Sequence, residues 1–250
     1  MKTTSTLIFG SKAVKTLQVI AIGLTLFTLL MIFFSSCKKG EDTNAVSEEE
    51  AAEVMTQAVD PASGGLVLQT SNAASISLTG LNTADCGVTK SSQTSNQGGT
   101  AARTYSYSLN WSRLLTCTNA VPSKFEHNFS GTSSYNTPRM SSNDNSEGAF
   151  TITGLEPSAT ELTLTQNYTR NGTQQSKVRN TRSFTSKTVI QTNLKAIKGT
   201  QQITSGTGTI SINGTASTGE SFSYTGTLTF LGGNKATLVV SGGNTYTIQW

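Results

Sequence analysis

The sequence predicts an all-β protein: an antiparallel meander of about nine to eleven strands behind a short N-terminal helix, built as a curved sheet, a sandwich or a soluble barrel. Three observations carry this. Apolar residues recur with period two through most of the chain. The gaps between these runs hold Gly and Asn. The surface is dressed with Ser and Thr, 74 of 250 residues, while only 13% of residues are charged. About a quarter would be charged in an ordinary soluble domain. Thr is β-branched and suits a pleated surface, which argues against a helical bundle or coiled coil. The regular apolar pattern and only four prolines argue against a disordered chain. The length fits one ordinary domain, or two small ones at most.

The first element, residues 1–36, reads as a targeting segment. Lys2, Lys12 and Lys15 form a basic start, and an apolar run from Val19 to Phe34 follows. That run is 16 residues long, close to the length of a membrane-spanning helix, so an uncleaved signal anchor is the alternative. It stops at Phe34-Ser35-Ser36-Cys37, and the polar Lys38-Lys39-Gly40-Glu41-Asp42 comes next. A small residue before a single Cys, after an apolar run, resembles the bacterial lipoprotein signal. Phe34 and Ser36 depart from the usual Leu and Gly or Ala of that family, but the small-residue requirement is met. Together with the Thr-rich β body, the segment is similar to the strand-rich lipoproteins of Bacteroidota. The resemblance implies cleavage before Cys37, acylation of its sulfur (a palmitate-type lipid), and a place in the cell envelope at the outer membrane. Removing residues 1–36 takes away three Lys and no acid, leaving 15 basic and 14 acidic residues. The pI near 9.0 therefore belongs to the precursor, and no nucleic-acid partner is expected.

Residues 37–63 form an acidic tether and a short helix. Ser47 precedes the run and Glu50 stands three positions on, the spacing of a capping box. A helix is expected over 47–59, ended by Asp60-Pro61, because the residue before Pro is biased away from helix. It serves either as a recruitment helix or as cover for one end of a sheet. Residues 64–250 are expected to form a single β domain. Within it, residues 64–85 fit short strands (Leu66 and Leu68, Ile76 and Leu78) or a second helix.

From residue 104 the period is two. Tyr105, Tyr107, Leu109 and Trp111 alternate with Thr104, Ser106, Ser108 and Asn110. Phe125, His127 and Phe129 alternate with Lys124, Glu126 and Asn128. Similar sets follow around Phe150, Leu164, Ile190, Ile210, Phe222, Leu238 and Ile248. Asn171-Gly172, Asn213-Gly214, Gly232-Gly233-Asn234 and Gly242-Gly243-Asn244 read as hairpin turns, because tight hairpins need positive φ angles. Parallel strands would need helical crossovers, and none appear after residue 85. Many strands carry only two or three apolar residues, too few for a membrane barrel wall.

With Cys37 assigned to the anchor, Cys86 and Cys117 remain as an even pair, and an exported body favours a disulfide. It would enclose the polar segment Ser91–Gly99, expected to be a mobile loop. One His and no C-x-x-C leave zinc without a ligand set, and no metal or cofactor is expected.

No hydrolase, P-loop or dinucleotide motif is present. Gly206-Thr207-Gly208-Thr209 lies in a strand pattern without the following helix that phosphate binding needs. His127, the single His, could be a general base with Asp85 or Asp144 as orienter, or a packed core residue. Paired carboxylates could run glycoside hydrolysis, but the body acids are few. Asp144 and Glu147 fall in Ser141–Gly148, which reads as a loop. Two surfaces stand out. Tyr105, Tyr107, Trp111, Phe125, His127 and Phe129 would share a face if their strands are neighbours, making either a ligand face or core. Lys177, Arg179, Lys187 and Lys195 should lie on the polar face of two successive strands, as a basic face for lipid phosphates or acidic glycans, or as guards against edge pairing. The expected function is a lipid-anchored envelope β protein, non-catalytic, with a binding or structural role. Its membrane contact is the anchor, and its candidate partners are a glycan, a lipid or an envelope protein. The alternatives are a carrier of a hydrophobic ligand within a curved sheet, with a cavity beneath Tyr107, Trp111 and Phe129, and a hydrolase using His127.

Overall fold

The computed structural model describes residues 45–79, 82–178 and 182–250. The signal segment with Cys37, and Arg179 of the basic set, lie outside the described residues.

Helix α1 spans Glu48–Val59. The capping box forms as the spacing predicts: Glu50 N–H donates to Ser47 Oγ, and Glu50 Oε2 accepts from Ser47 N–H. Asp60 ends the helix in extended backbone, and its carboxylate accepts from Ala62 N–H to start a 3-10 turn, Pro61–Ser63. Gly64 then reverses the chain at φ 67°. The ambiguous stretch resolves as helix α2, Leu66–Thr79, followed by a 3-10 turn at Thr83–Asp85. Period two was misleading there: Leu66, Val67, Gln69, Thr70, Ala73, Ala74 and Ser77 are the buried positions, at helical spacing.

Ten strands follow: β1 Thr89–Gly99, β2 Thr104–Thr118, β3 Val121–Asn136, β4 Met140–Thr153, β5 Glu161–Ser176, β6 Ser183–Ile197, β7 Ile203–Ala216, β8 Ser221–Gly232, β9 Lys235–Val240 and β10 Thr245–Gln249. Each pairs antiparallel with its sequence neighbours, in one sheet ordered β1 to β10. The sheet is not closed, so among the described residues β1 and β10 are free edges. The all-β antiparallel meander holds, in its open-sheet form.

Three local expectations are corrected. The polar segment Ser91–Gly99 is not a loop but most of β1. Residues Ser141–Gly148 are not a loop but part of β4. Asn171-Gly172 and Asn213-Gly214 lie inside β5 and β7 rather than at turns. Their glycines serve close approach instead. A Cβ at Gly172 would stand 2.0 Å from the Asn143 carbonyl oxygen, and one at Gly214 would stand 2.8 Å from the Phe222 ring. The turns at Gly232-Gly233-Asn234 and Gly242-Gly243-Asn244 do form, with positive φ at Gly233, Asn234 and Gly243.

One face of the sheet is covered by the helices. Phe125, Phe150, Tyr168, Phe184 and Phe230 are fully withdrawn from water there, in one cluster with Met55, Val59 and Leu66 of the helical layer. Each such side chain contributes about 2–3 kcal/mol on burial. The Cys86–Cys117 disulfide ties the turn after α2 to β2, with Cα atoms 5.6 Å apart. Among the described residues, no helix is long and apolar enough to cross a membrane.

Candidate functional site

The aromatic set comes together as its alternation predicts. β2 and β3 are paired, with Trp111 opposite Phe129, Arg113 opposite His127 and Leu115 opposite Phe125. Tyr105 and Tyr107 stack with centroids 6.2 Å apart. The set is not an open ligand face, however. Tyr107, Phe125, His127 and Phe129 are buried, whereas Tyr105 and Trp111 are half-buried. Phe129 meets Phe150 edge-on at 5.3 Å and Tyr168 at 6.1 Å, and the Tyr107 hydroxyl accepts from Asn72 of α2 at 3.1 Å.

His127 is 5% exposed. Its ring lies among Trp111, Phe125 and Phe129, with centroids between 5.7 and 6.4 Å away. Burial, and then the Arg113 charge, lower its pKa to about 4, so it stays neutral near pH 7. Its Nδ1 is buried without a hydrogen-bond partner among the described residues. A general base needs a nucleophile and an orienter within reach. Among the described residues no orienter bonds His127 Nδ1, and the ring is packed in the core.

A polar cluster that the sequence did not single out crosses the covered face. Arg170 Nε donates to Asp144 Oδ2 at 3.0 Å, Nη1 to the Ser63 carbonyl at 3.1 Å and Nη2 to Ser133 Oγ at 3.2 Å. Gln174 Nε2 donates to Asp144 Oδ1 at 2.9 Å, and Ser142 Oγ donates to the same oxygen at 2.5 Å. Ser186 Oγ completes Gln174 by donating to its Oε1 at 2.8 Å. The Arg170 guanidinium also lies 5.0 Å from the Tyr135 ring centre. Burial first, and Asp144 next, push the Tyr135 phenol up and keep it protonated. A second pair links the layers: Gln166 Nε2 donates to Thr70 Oγ1 of α2 at 2.9 Å, and Thr192 Oγ1 donates to Gln166 Oε1 at 3.0 Å. Arg170, Asp144, Gln174 and Gln166 are held by these bonds, which fix the helical layer to the sheet, whereas the Tyr135 hydroxyl is buried without a hydrogen-bond partner among the described residues. The one available sequence signal was polar residues at positions of inward parity, as at Arg170 and Gln174.

The described members of the basic set, Lys177, Lys187 and Lys195, do not share one strand patch. Lys187 and Lys195 do lie exposed on the open face of β6, eight residues and about 26 Å apart along the strand. Lys195 is paired with Glu161 at 3.4 Å. Lys177 follows β5 instead of lying on it, and donates to Asn136 and the Thr137 carbonyl. Glu147 faces the open side of β4 while Asp144 faces the covered side, so they form no catalytic pair. Asp85 is bound to Lys90. Among the described residues, no group of three His, Cys, Asp or Glu could hold a metal ion.

Opposite the helices lies a nearly neutral face. The strand register aligns Thr151, Thr165, Asn193, Thr207, Thr229, Thr237 and Thr247 in one row across β4 to β10. Neighbouring strands are about 4.8 Å apart, so the row presents hydroxyls and one amide at a fixed repeat. Across β1 to β4 the same face forms a shallow cleft of about 850 Å³, and Ser95, Gln97, Ser108, Thr132, Asn143 and Asn145 are among the residues that line it. The six side chains named in the cleft both donate and accept hydrogen bonds and carry no charge; elsewhere on this face Glu147, Lys187 and the Lys195–Glu161 pair are charged.

No family model matches this chain, and no curated protein or solved structure matches it.

Proposed function

We propose that this chain is a lipid-anchored protein of the bacterial cell envelope with a non-catalytic binding role, and that the open face of its sheet is the binding surface. The observation that carries this reading is the contrast between the two faces. On the covered face, packed aromatics and a polar network centred on Arg170, Asp144 and Gln174 tie the sheet to the helical layer. On the open face, hydroxyls and amides line a cleft about 850 Å³ in volume across β1 to β4. A neutral surface of donors and acceptors matches a neutral, polyhydroxylated partner, so a glycan is favoured over an acidic lipid headgroup. Acylated Cys37 is the anchor in this reading, and the acidic stretch that follows is the tether.

Two measurements test the two halves separately. Intact-mass spectrometry of the full chain extracted from its own membrane should show a chain beginning at Cys37 and carrying acyl groups. A mass beginning at Met1 without acylation overturns the anchor. Binding of the full chain to neutral envelope polysaccharide should fall at least tenfold in a Thr132→Leu, Asn145→Leu variant, whose exposed side chains line the cleft. Absence of binding by the unaltered chain, or binding untouched by the variant, overturns the glycan reading.

A further inference from the structure

We propose that β1 is an edge through which two copies of this chain associate, pairing β1 with β1 antiparallel about Thr94. In the turn between β1 and β2, Thr100 and Arg103 exchange N–H···O bonds of 2.6 and 3.2 Å. The register is unbroken from there, so alternate residues of β1 face β2. Asn96, Thr94 and Ser92 bond to β2, and the N–H and C=O groups of Ser91, Gln93, Ser95 and Gln97 face the free edge. The Gln97 N–H is turned to Asn96 Oδ1 at 2.8 Å.

Sheet edges are usually blunted by shortness, proline, bulges or charge. The opposite edge uses shortness: β10 has five residues. β1 uses none of these devices. It runs for 11 residues, has no proline and shows no register shift against β2. Its single charge, Lys90, is held by Asp85. The helical layer stops short of it, so Ser92, Thr94 and Asn96, which share a face with buried Tyr107 and Leu109, are exposed.

The chemistry of this edge selects a neutral polar strand. From Ser91 to Gly99 no charge is present to choose an acidic or basic peptide, and no large side chain forms a pocket. β1 itself supplies the matching strand. Antiparallel pairing centred on Thr94, the midpoint of the strand, aligns all 11 residues. The outward-facing Gln93 then meets Ser95 as a hydrogen-bonded pair, and Ser91 lies opposite Gln97, whose C=O can accept from Ser91 while its N–H is held by Asn96 Oδ1. Thr94 meets Thr94 as a non-hydrogen-bonded pair with Cα atoms about 4.5 Å apart, and Thr–Thr pairs of this kind are favourable. Lys90 falls opposite Gly98, so like charges do not meet.

The test uses the full chain carrying Thr94→Cys, oxidised and run on a non-reducing gel. Thr247→Cys, on the opposite edge, serves as the collision control. The dimer band of Thr94→Cys should exceed that of the control at least tenfold. Adding Gln93→Pro should cut it at least tenfold, because proline removes an outward N–H and spares the β1–β2 bonds. Amide exchange on the unaltered chain decides the matter if that variant fails to fold. Protection at Ser91, Gln93 and Ser95 should fall on dilution. Equal dimer bands at the two edges, or amide exchange at these residues independent of concentration, overturns the proposal.

Discussion

Asp144 on β4 and Arg170 on β5 form an ion pair of 3.0 Å whose side chains are 1% and 4% exposed. Neither charge could stand there alone, since desolvating an isolated ion costs several kcal/mol. The pair is embedded in polar contacts from Ser133, Ser142, Gln174 and the Ser63 carbonyl. Its role is to join the middle of the sheet to the turn between the two helices.

Removing one partner should therefore be costly. Asp144→Asn leaves the Arg170 charge buried and uncompensated, with an expected loss of about 3–5 kcal/mol. The double variant Asp144→Leu, Arg170→Leu should recover much of it. Urea unfolding of the three chains measures both. A single-variant loss below about 1 kcal/mol would sink this account of the network.

His127 makes stability depend on pH. Its folded pKa is lowered to about 4 from 6.5. Below pH 6.5 the unfolded chain takes up a proton that the folded chain refuses, so stability falls as pH drops from 6.5 towards 4 and is level above that window. The loss attributable to His127 should reach about 3 kcal/mol at pH 4. Unfolding curves of the protein and of His127→Leu isolate it from the carboxylates. The stability difference between the two chains should shift in favour of the variant across this window, and a constant difference would be the contrary result.

The Cys86–Cys117 bond encloses a sequence separation of 31 residues that contains the whole of β1. Loop entropy sets its contribution at about 3–4 kcal/mol. A Cys86→Ala, Cys117→Ala chain should unfold at correspondingly lower denaturant. Proteolysis should cut first between residues 86 and 104, since β1 is held on one side only. Unchanged stability under reductant would contradict the assignment.

Gly148 lies beneath the Phe129 ring, where an added Cβ would come within 2.3 Å of ring carbons. Gly148→Ala must displace Phe129 from Phe150 and Tyr168, an overpacking expected to cost about 1–3 kcal/mol. Thermal unfolding checks this, and an Ala variant as stable as the parent would show that the ring has room to move.

Alternation along single strands made much of the fold legible. The shared face of Trp111 and Phe129 and the burial of Phe125 follow from parity, and the capping box at Ser47 and Glu50 from spacing. Legibility failed where a residue type has two uses. Asn171-Gly172 and Asn213-Gly214 read as turns because glycine suits positive φ, yet here glycine admits a neighbouring strand. Asn119 and Ala120 make the β2–β3 turn at φ 52° and 62°, although Ala is a poor turn signal. Ser91–Gly99 and Ser141–Gly148 carry no apolar alternation, because β1 is exposed on both faces and β4 turns Ser142, Asp144 and Ser146 into a polar core.

The sequence by itself determined the antiparallel class, the first helix, the Cys86–Cys117 pair and the inward parity of the aromatic residues. Each depends on local spacing or on simple counting. Tertiary structure alone decided that α1 and α2 fill the covered face, that Arg170 and Asp144 satisfy each other, and that six threonines and Asn193 from seven strands fall in one row. Those outcomes depend on register and on contacts between residues far apart in the chain, such as Ser63 with Arg170, 107 residues away. Periodicity gives the face on which a side chain lies. It does not give the neighbour across the strand or the layer packed above it.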